Sequence, residues 1–184
     1  LPVNDPVVQY ETVPQQASSE DGDDIIIDFA NYVLDPEGEQ LLVVAAREYS
    51  GITINSISSS VLIDPQTHWN GAELIEFYVS DGVTEPLQVF VPINIEPVED
   101  NVEFTSNSFS VDINEDATKS INLGNYTINV DDDPLNFTVE GESEILDYSL
   151  SGNELLLVPA PNMHGLVIYT INVSDGFSSS SAEF

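Results

Sequence analysis

The tetrapeptide "VSDG" at residues 79–82 returns unchanged at residues 173–176, a spacing of 94. Four residues alone are a weak match, so their neighbours decide what the repetition means. At the same spacing, "DPEGEQL" (35–41) lies over "NVDDDPL" (129–135), and "WNG" (69–71) over "MHG" (163–165). At a spacing of 95, "SEDG" (19–22) lies over "NEDA" (114–117), and "VNDP" (3–6) over "VEDN" (98–101). Five matches in one order, with one residue of slippage, mark an internal duplication. The 184 residues read as two units, 1–97 and 98–184, joined near "IEPVEDN" at 95–101.

Each unit has the pattern of an all-β domain. In the first, "VVQYETV", "DIIIDF", "QLLVVAA", "ITINSI", "SVLID", "ELIEFYV" and "LQVFVPINI" are short and rich in branched and aromatic residues. Turn residues separate them, and no segment sustains a 3.6-residue period. Seven strands in about 95 residues predict an immunoglobulin-like sandwich. The second unit repeats the pattern through "YTINVS" and ends in "FSSSSAEF", whereas the matching stretch of the first continues to Ile95. Its last strand is therefore expected to be truncated, and any sheet edge left open to a strand from another chain is a consequence of that cut rather than biology.

The charge balance is lopsided: 33 Asp and Glu face only Arg47 and Lys119, for a net charge of -31. Salt bridges cannot offset it, and binding to nucleic acid through phosphate contacts is excluded. There is no cysteine, so disulfides play no part. No apolar run approaches the roughly 18 to 20 residues of a membrane span. No catalytic constellation is visible either: there is no Cys nucleophile, no "GxSxG", and only His68 and His164, in equivalent turns of separate units. An enzyme is not expected.

What neutralises the crowded acids is the functional question. In an extended loop alternate side chains point the same way, so Asn129, Asp131 and Asp133 can converge on one centre. Asp175, past the sixth strand, falls at the same pole of a seven-strand sandwich, where the linker brings Glu99, Asp100 and Asn101. The matching set in the first unit is Asp35, Glu37, Glu39 and Asp81, with Asn4 and Asp5 entering. Calcium takes six to eight oxygens at about 2.3 to 2.6 Å from several segments, which suits such a pole. Magnesium prefers a stricter octahedron, and zinc would want His or Cys. An EF-hand fails because Pro134 stands where it needs Gly, "LNFTV" reads as a strand, and Ala46 takes the twelfth position in the first unit. A solvated turn is the plain alternative, since Asp, Asn and Pro all favour turns. Recurrence of the acids at equivalent places in both units favours the cation.

These landmarks resemble the cadherin-like tandem repeats of large bacterial surface proteins, which carry a "VND.P" linker, an "ED" near the first turn, a "D.DGD.L" loop, an aromatic-Asn-Gly and a "VSDG". Here they stand as Val3 to Pro6, Glu20-Asp21, Asp35 to Leu41, Trp69 to Gly71 and Val79 to Gly82. Looser copies follow at Val98 to Asn101, Glu115-Asp116, Asn129 to Leu135, His164-Gly165 and Val173 to Gly176. The resemblance implies two tandem seven-stranded immunoglobulin/cadherin-like β-sandwiches with Ca2+ at the junction between repeats, and Glu20 reaching into it. It also implies an extracellular adhesion or stalk module whose linker calcium stiffens. The partners would be neighbouring repeats of the same chain, with a cell-surface protein or polysaccharide beyond them, and no membrane insertion. The alternative is a carbohydrate- or protein-binding sandwich, which a row of exposed tyrosines would favour.

Overall fold

The computed structural model describes residues 3–184, and the chain divides into two compact units, Leu1–Val98 and Glu99–Phe184. In unit 1, β1 (Val8–Gln9), β2 (Gln16–Ser19), β3 (Ile25–Asp28), β4 (Val33–Leu34), β5 (Leu42–Ala45), β6 (Ile52–Ile57), β7 (Ser60–Pro65), β8 (Gly71–Ser80) and β9 (Leu87–Glu96) follow one another. They form a sheet β2-β9-β8-β5, a facing sheet β3-β7-β6, and the short pair β1-β4. All pairings are antiparallel except β2 on β9. The inner faces are built by strict alternation: Ile75, Phe77 and Val79 point in from β8, and Val89, Val91, Ile93 and Ile95 from β9. They meet Ile25, Ile27, Val61 and Ile63 from the other sheet, with Phe29 edge-on to Phe77 at 5.0 Å between ring centres. Burying each such side chain contributes roughly 1.5–3 kcal/mol.

Unit 2 comprises β10 (Glu103–Phe104), β11 (Lys119–Asn122), β12 (Thr127–Ile128), β13 (Asn136–Glu140), β14 (Leu146–Ser151), β15 (Glu154–Pro159), β16 (Thr170–Ser174) and β17 (Ser179–Glu183). Sheets β11-β15-β14 and β13-β16-β17 enclose Ile121, Leu123, Phe137, Leu155, Leu157, Ile171 and Val173. The duplication holds in small details. Each unit carries one 3-10 turn, and in both an Asx side chain accepts the amide of the turn's second residue: Ala30 N–H to Asp28 at 3.1 Å, Gly124 N–H to Asn122 at 3.0 Å.

Two departures from the expected strands have local causes. The first strand, expected over 7–13, shrinks to Val8–Gln9, because the amides of Tyr10 and Glu11 both aim at the carbonyl of Tyr32 and break the ladder. The chain then changes sheets past Pro14 and joins β9 as β2, whose residues Gln16–Ser19 include no buried side chain to betray it. In unit 2 the matching residues, 111–114, are not a strand, and β16 starts only at Thr170 although β8 starts at Gly71. There β17 pairs with all five residues of β16, and a backbone pair joins Tyr169 to Phe184.

Candidate metal centres at the linker pole

In each unit the "VSDG" aspartate directly follows the strand that pairs with β5 or β13, and the glycine after it adopts a left-handed backbone: Gly82 at φ +83° and Gly176 at +103°. That reversal folds the following amides back onto the carboxylate. Asp81 Oδ1 accepts from Val83 N–H and Thr84 N–H, both at 2.8 Å, and its Oδ2 accepts from Thr84 Oγ1 at 2.9 Å. Asp175 repeats the arrangement with Phe177 N–H at 2.8 Å, Ser178 N–H at 2.6 Å and Ser178 Oγ at 2.8 Å. The entering segment supplies the next donor: Asn4 Nδ2 reaches Asp81 Oδ2 at 2.8 Å, and Val102 N–H reaches Asp175 Oδ2 at 3.1 Å.

The acid-rich loop is the second wall. Asp35 Oδ1 accepts from Glu37 N–H at 2.9 Å and Glu39 N–H at 2.8 Å, an Asx turn completed by Gly38 at φ +80°. In unit 2, Asn129 Nδ2 donates to the Asp133 carbonyl at 2.9 Å, and Asp132 takes the left-handed conformation. One bond is duplicated across the repeat: Asp5 N–H to Glu37 Oε2 at 3.1 Å matches Asp100 N–H to Asp131 Oδ2 at 2.7 Å. Segment and loop are thus tied by the same contact in both units.

Two carboxylate triads result. Asp35, Glu39 and Asp81 bring oxygens within 4.8 Å of one another, and so do Glu99, Asp131 and Asp133. The first holds a buried anion with an unmet need: Asp35 is 9% exposed, and its Oδ2 is buried without a hydrogen-bond partner. A hard cation satisfies such an oxygen, and these donors are all oxygens, so the residues fit calcium. In the second triad, lost hydration and then the charges of Asp133, Asp131 and Asp175 hold the Glu99 carboxyl above its ordinary pKa. A cation among these carboxylates would offset that repulsion.

The remaining expected residues have other positions. Glu37 and Asp100 lie beside the triads in the segment-to-loop bond, Asp175 is braced by Val102 and Ser178, and Asn101 is exposed. Glu20 lies where the chain leaves unit 1. It is 2% exposed, with Oε1 accepting from Val98 N–H at 2.5 Å and Oε2 from Asn70 Nδ2 at 2.9 Å. The exit of the linker is therefore pinned by a charge-assisted bond. Thr84 and Ser178 are bracing residues that the motif reading passed over. Their signal is present: a hydroxyl residue stands three positions after Asp in both copies of "VSDG".

The bracing donors, led by the Val83 amide for Asp81 and the Ser178 amide for Asp175, lower both carboxyls to about 2. The sign follows from linkage: each ion stabilises the fold at pH values above its unfolded pKa, and that contribution disappears as pH falls toward 2. In chelator, the melting-temperature gap between the protein and an Asp81→Asn, Asp175→Asn variant is expected to be widest above pH 5 and to close toward pH 2. A gap independent of pH would show that these ions do not act through their charge.

No protein-family model matches the sequence. None of the curated proteins matches it either. Among solved structures, the PcdhgB3 EC1-4 fragment is 12% identical, with TM-score 0.55 over 97% of this chain and 48% of that one. Mouse cadherin-23 EC22-24 is 14% identical, with TM-score 0.51 over 98% of this chain and 63% of that one. An endo-fucoidan hydrolase of glycoside hydrolase family 107 is 19% identical at TM-score 0.46, and this chain spans 28% of its length. At these identities the likeness is one of fold: the chain is all-β, with the sandwich architecture of cadherin ectodomains.

Proposed function

We propose that the chain is a calcium-stiffened adhesion or stalk module of a larger extracellular protein, non-catalytic in itself. Each unit binds Ca2+ where its entering segment meets the acid-rich loop and the "VSDG" aspartate. The buried, unpartnered Oδ2 of Asp35 among Glu39 and Asp81 carries this reading. The linker is held at its exit by Glu20 and at its entrance to unit 2 by Asp131 and Asp175. Calcium drawing Glu99, Asp131 and Asp133 together removes the repulsion that would otherwise loosen this segment, so the metal converts a mobile hinge into a stiff one. No helix among the described residues is long and apolar enough to cross a membrane.

The tyrosines bear on the rival sugar-binding reading. Among the described tyrosines Tyr10 (54%) and Tyr78 (37%) are exposed, one beyond β1 and the other on β8, and Trp69 packs against the unit 1 core, so the exposed tyrosines form no row of the kind that would favour glycan binding. A protein partner has better support. The outer face of sheet β2-β9-β8-β5 exposes Leu42, Val44, Leu74, Tyr78 and Phe90, an apolar surface suited to adhesion.

The decisive measurement is a thermal melt in calcium, in magnesium and in chelator. A ligand at a hundredfold excess over its dissociation constant adds about 2.7 kcal/mol. Calcium is expected to raise the melting temperature by several degrees where magnesium does little, and Asp131→Ala with Asp133→Ala to remove the unit 2 share. Equal melts in all three solutions would leave the acids as solvated surface.

A further inference from the structure

The two units share one fold, yet they finish the same sheet face differently. In unit 1 the ladders align Leu42 with Ser80, Val44 with Tyr78 and Gln88, and Glu76 with Phe90. These side chains point away from the core, opposite to the buried Val43, Phe77, Val79 and Val89. The matching ladders of unit 2 align Asn136 with Ser174, Thr138 with Asn172 and Ser181, and Thr170 with Glu183. Where unit 1 exposes Leu42, Val44, Tyr78 and Phe90, at 37% to 56%, unit 2 carries Asn136, Thr138, Asn172 and Glu183. The sandwich does not need apolar side chains at these places, because its own duplicate folds without them. Their exposure in unit 1 marks a surface that something else covers.

The face has a centre. Glu76, half-buried, has Leu74 and Tyr78 as its neighbours along β8 on this side and Phe90 opposite, and its Oε1 accepts from Gln88 Nε2. A carboxylate ringed by apolar side chains selects a cation that arrives with apolar surface of its own. Strands β5, β8 and β9, at about 4.8 Å spacing, make a strip about 10 Å wide, which one α-helix covers. We propose that this face docks an amphipathic α-helix of a basic partner protein, whose apolar stripe bears one Lys or Arg that pairs with Glu76. A net charge of -31 steers such a partner and repels a second copy. That copy would bring only Arg47 and Lys119 as cations and, among the described residues, only short 3-10 turns as helix. The inference rests on the protein-partner reading of this face and not on calcium.

The test titrates the protein, in calcium and near-physiological salt, into a fluorescent synthetic helix of leucine, alanine and lysine, about 18 residues long. Leucine stands at every third or fourth position, with one lysine inside that stripe. A scrambled peptide of the same composition controls for attraction to acidic surface at large. The striped helix is expected to bind one to one, and the scrambled one at least about tenfold more weakly. Glu76→Gln is expected to weaken the striped helix by about tenfold. The same loss is expected for Leu42→Asn with Val44→Thr and Tyr78→Asn, which gives unit 1 the side chains that unit 2 carries. Both variants should keep the parent's calcium-dependent melting shift. Equal affinity for the two peptides, or affinity unchanged in either variant, would overturn the proposal. A calcium shift without peptide binding would remove the docking helix and leave the stiffened stalk standing. Binding without a calcium shift would do the reverse.

Discussion

Replacing Gly51 with alanine is expected to unfold unit 1 at urea concentrations that leave the parent protein intact. Gly51 adopts φ +76°, and a Cβ there would lie 2.1 Å from Cδ1 and 2.2 Å from Nε1 of Trp69. Those are not the flexible ends of a long side chain but atoms of a rigid ring packed against the core. The left-handed backbone alone costs a non-glycine residue about 1–2 kcal/mol. Displacing the indole adds a loss approaching that of deleting a packed aromatic, about 3–5 kcal/mol. A domain with a total stability of about 5–15 kcal/mol loses most of its margin. Trp69 is the chain's one tryptophan, so its fluorescence reports unit 1 alone during urea titration. Gly38→Ala separates the two causes, because Gly38 has φ +80° and nothing within 4 Å of its added Cβ. It should cost only the backbone share. Equal losses for the two variants would mean that Trp69 moves aside freely.

That contact also shows where the sequence stops being informative. "WNG" is legible as a repeated landmark with its aromatic in the core, but nothing in the sequence says that the ring needs Gly51, eighteen residues earlier, to lack a side chain. The hairpin strands β6, β7, β14 and β15 are legible because their alternation and turn residues are local. Strand β2 is not, since its four residues are held by a parallel ladder to β9 and bury nothing. Residues 165–169 show the reverse case. "LVIY" has a strand's composition, yet residues 165–169 lie outside every strand, and among them Tyr169 makes its backbone pair with Phe184. Composition proposes a strand; a partner more than ten residues away decides it.

The acids divide along the same line. Their clustering at one pole follows from the repeat, because Asp35, Asp81 and their copies fall at strand ends that any such sandwich brings together. Their division of labour does not. Asp81 and Asp175 are each satisfied by at least three donors, so they buttress the site more than they wait for an ion. The waiting oxygen belongs to Asp35, and burial rather than residue type reveals it.

Asp35→Asn is expected to have opposite effects on the free and calcium-loaded protein, and this crossing separates a binding site from a structural turn. The parent carboxylate spends Oδ1 on the Glu37 and Glu39 amides and leaves Oδ2 buried with Glu39 and Asp81 nearby. An unmatched buried acceptor costs about 1–3 kcal/mol, and more when it is charged. Asparagine keeps the accepting oxygen of the Asx turn and replaces the unmatched anion with an amide, which can donate to either neighbouring carboxylate. In chelator, unit 1 of the variant should therefore unfold at higher urea than the parent, read again through Trp69. In calcium the order should reverse, because the cation loses a charged ligand that no other residue replaces. A tenfold loss of affinity corresponds to about 1.4 kcal/mol, and loss of a full ligand should exceed that. If Asp35 were only a turn residue, the variant would match the parent in both solutions. If it were destabilised in both, the buried oxygen would be satisfied within the fold, and the calcium reading of unit 1 would fail.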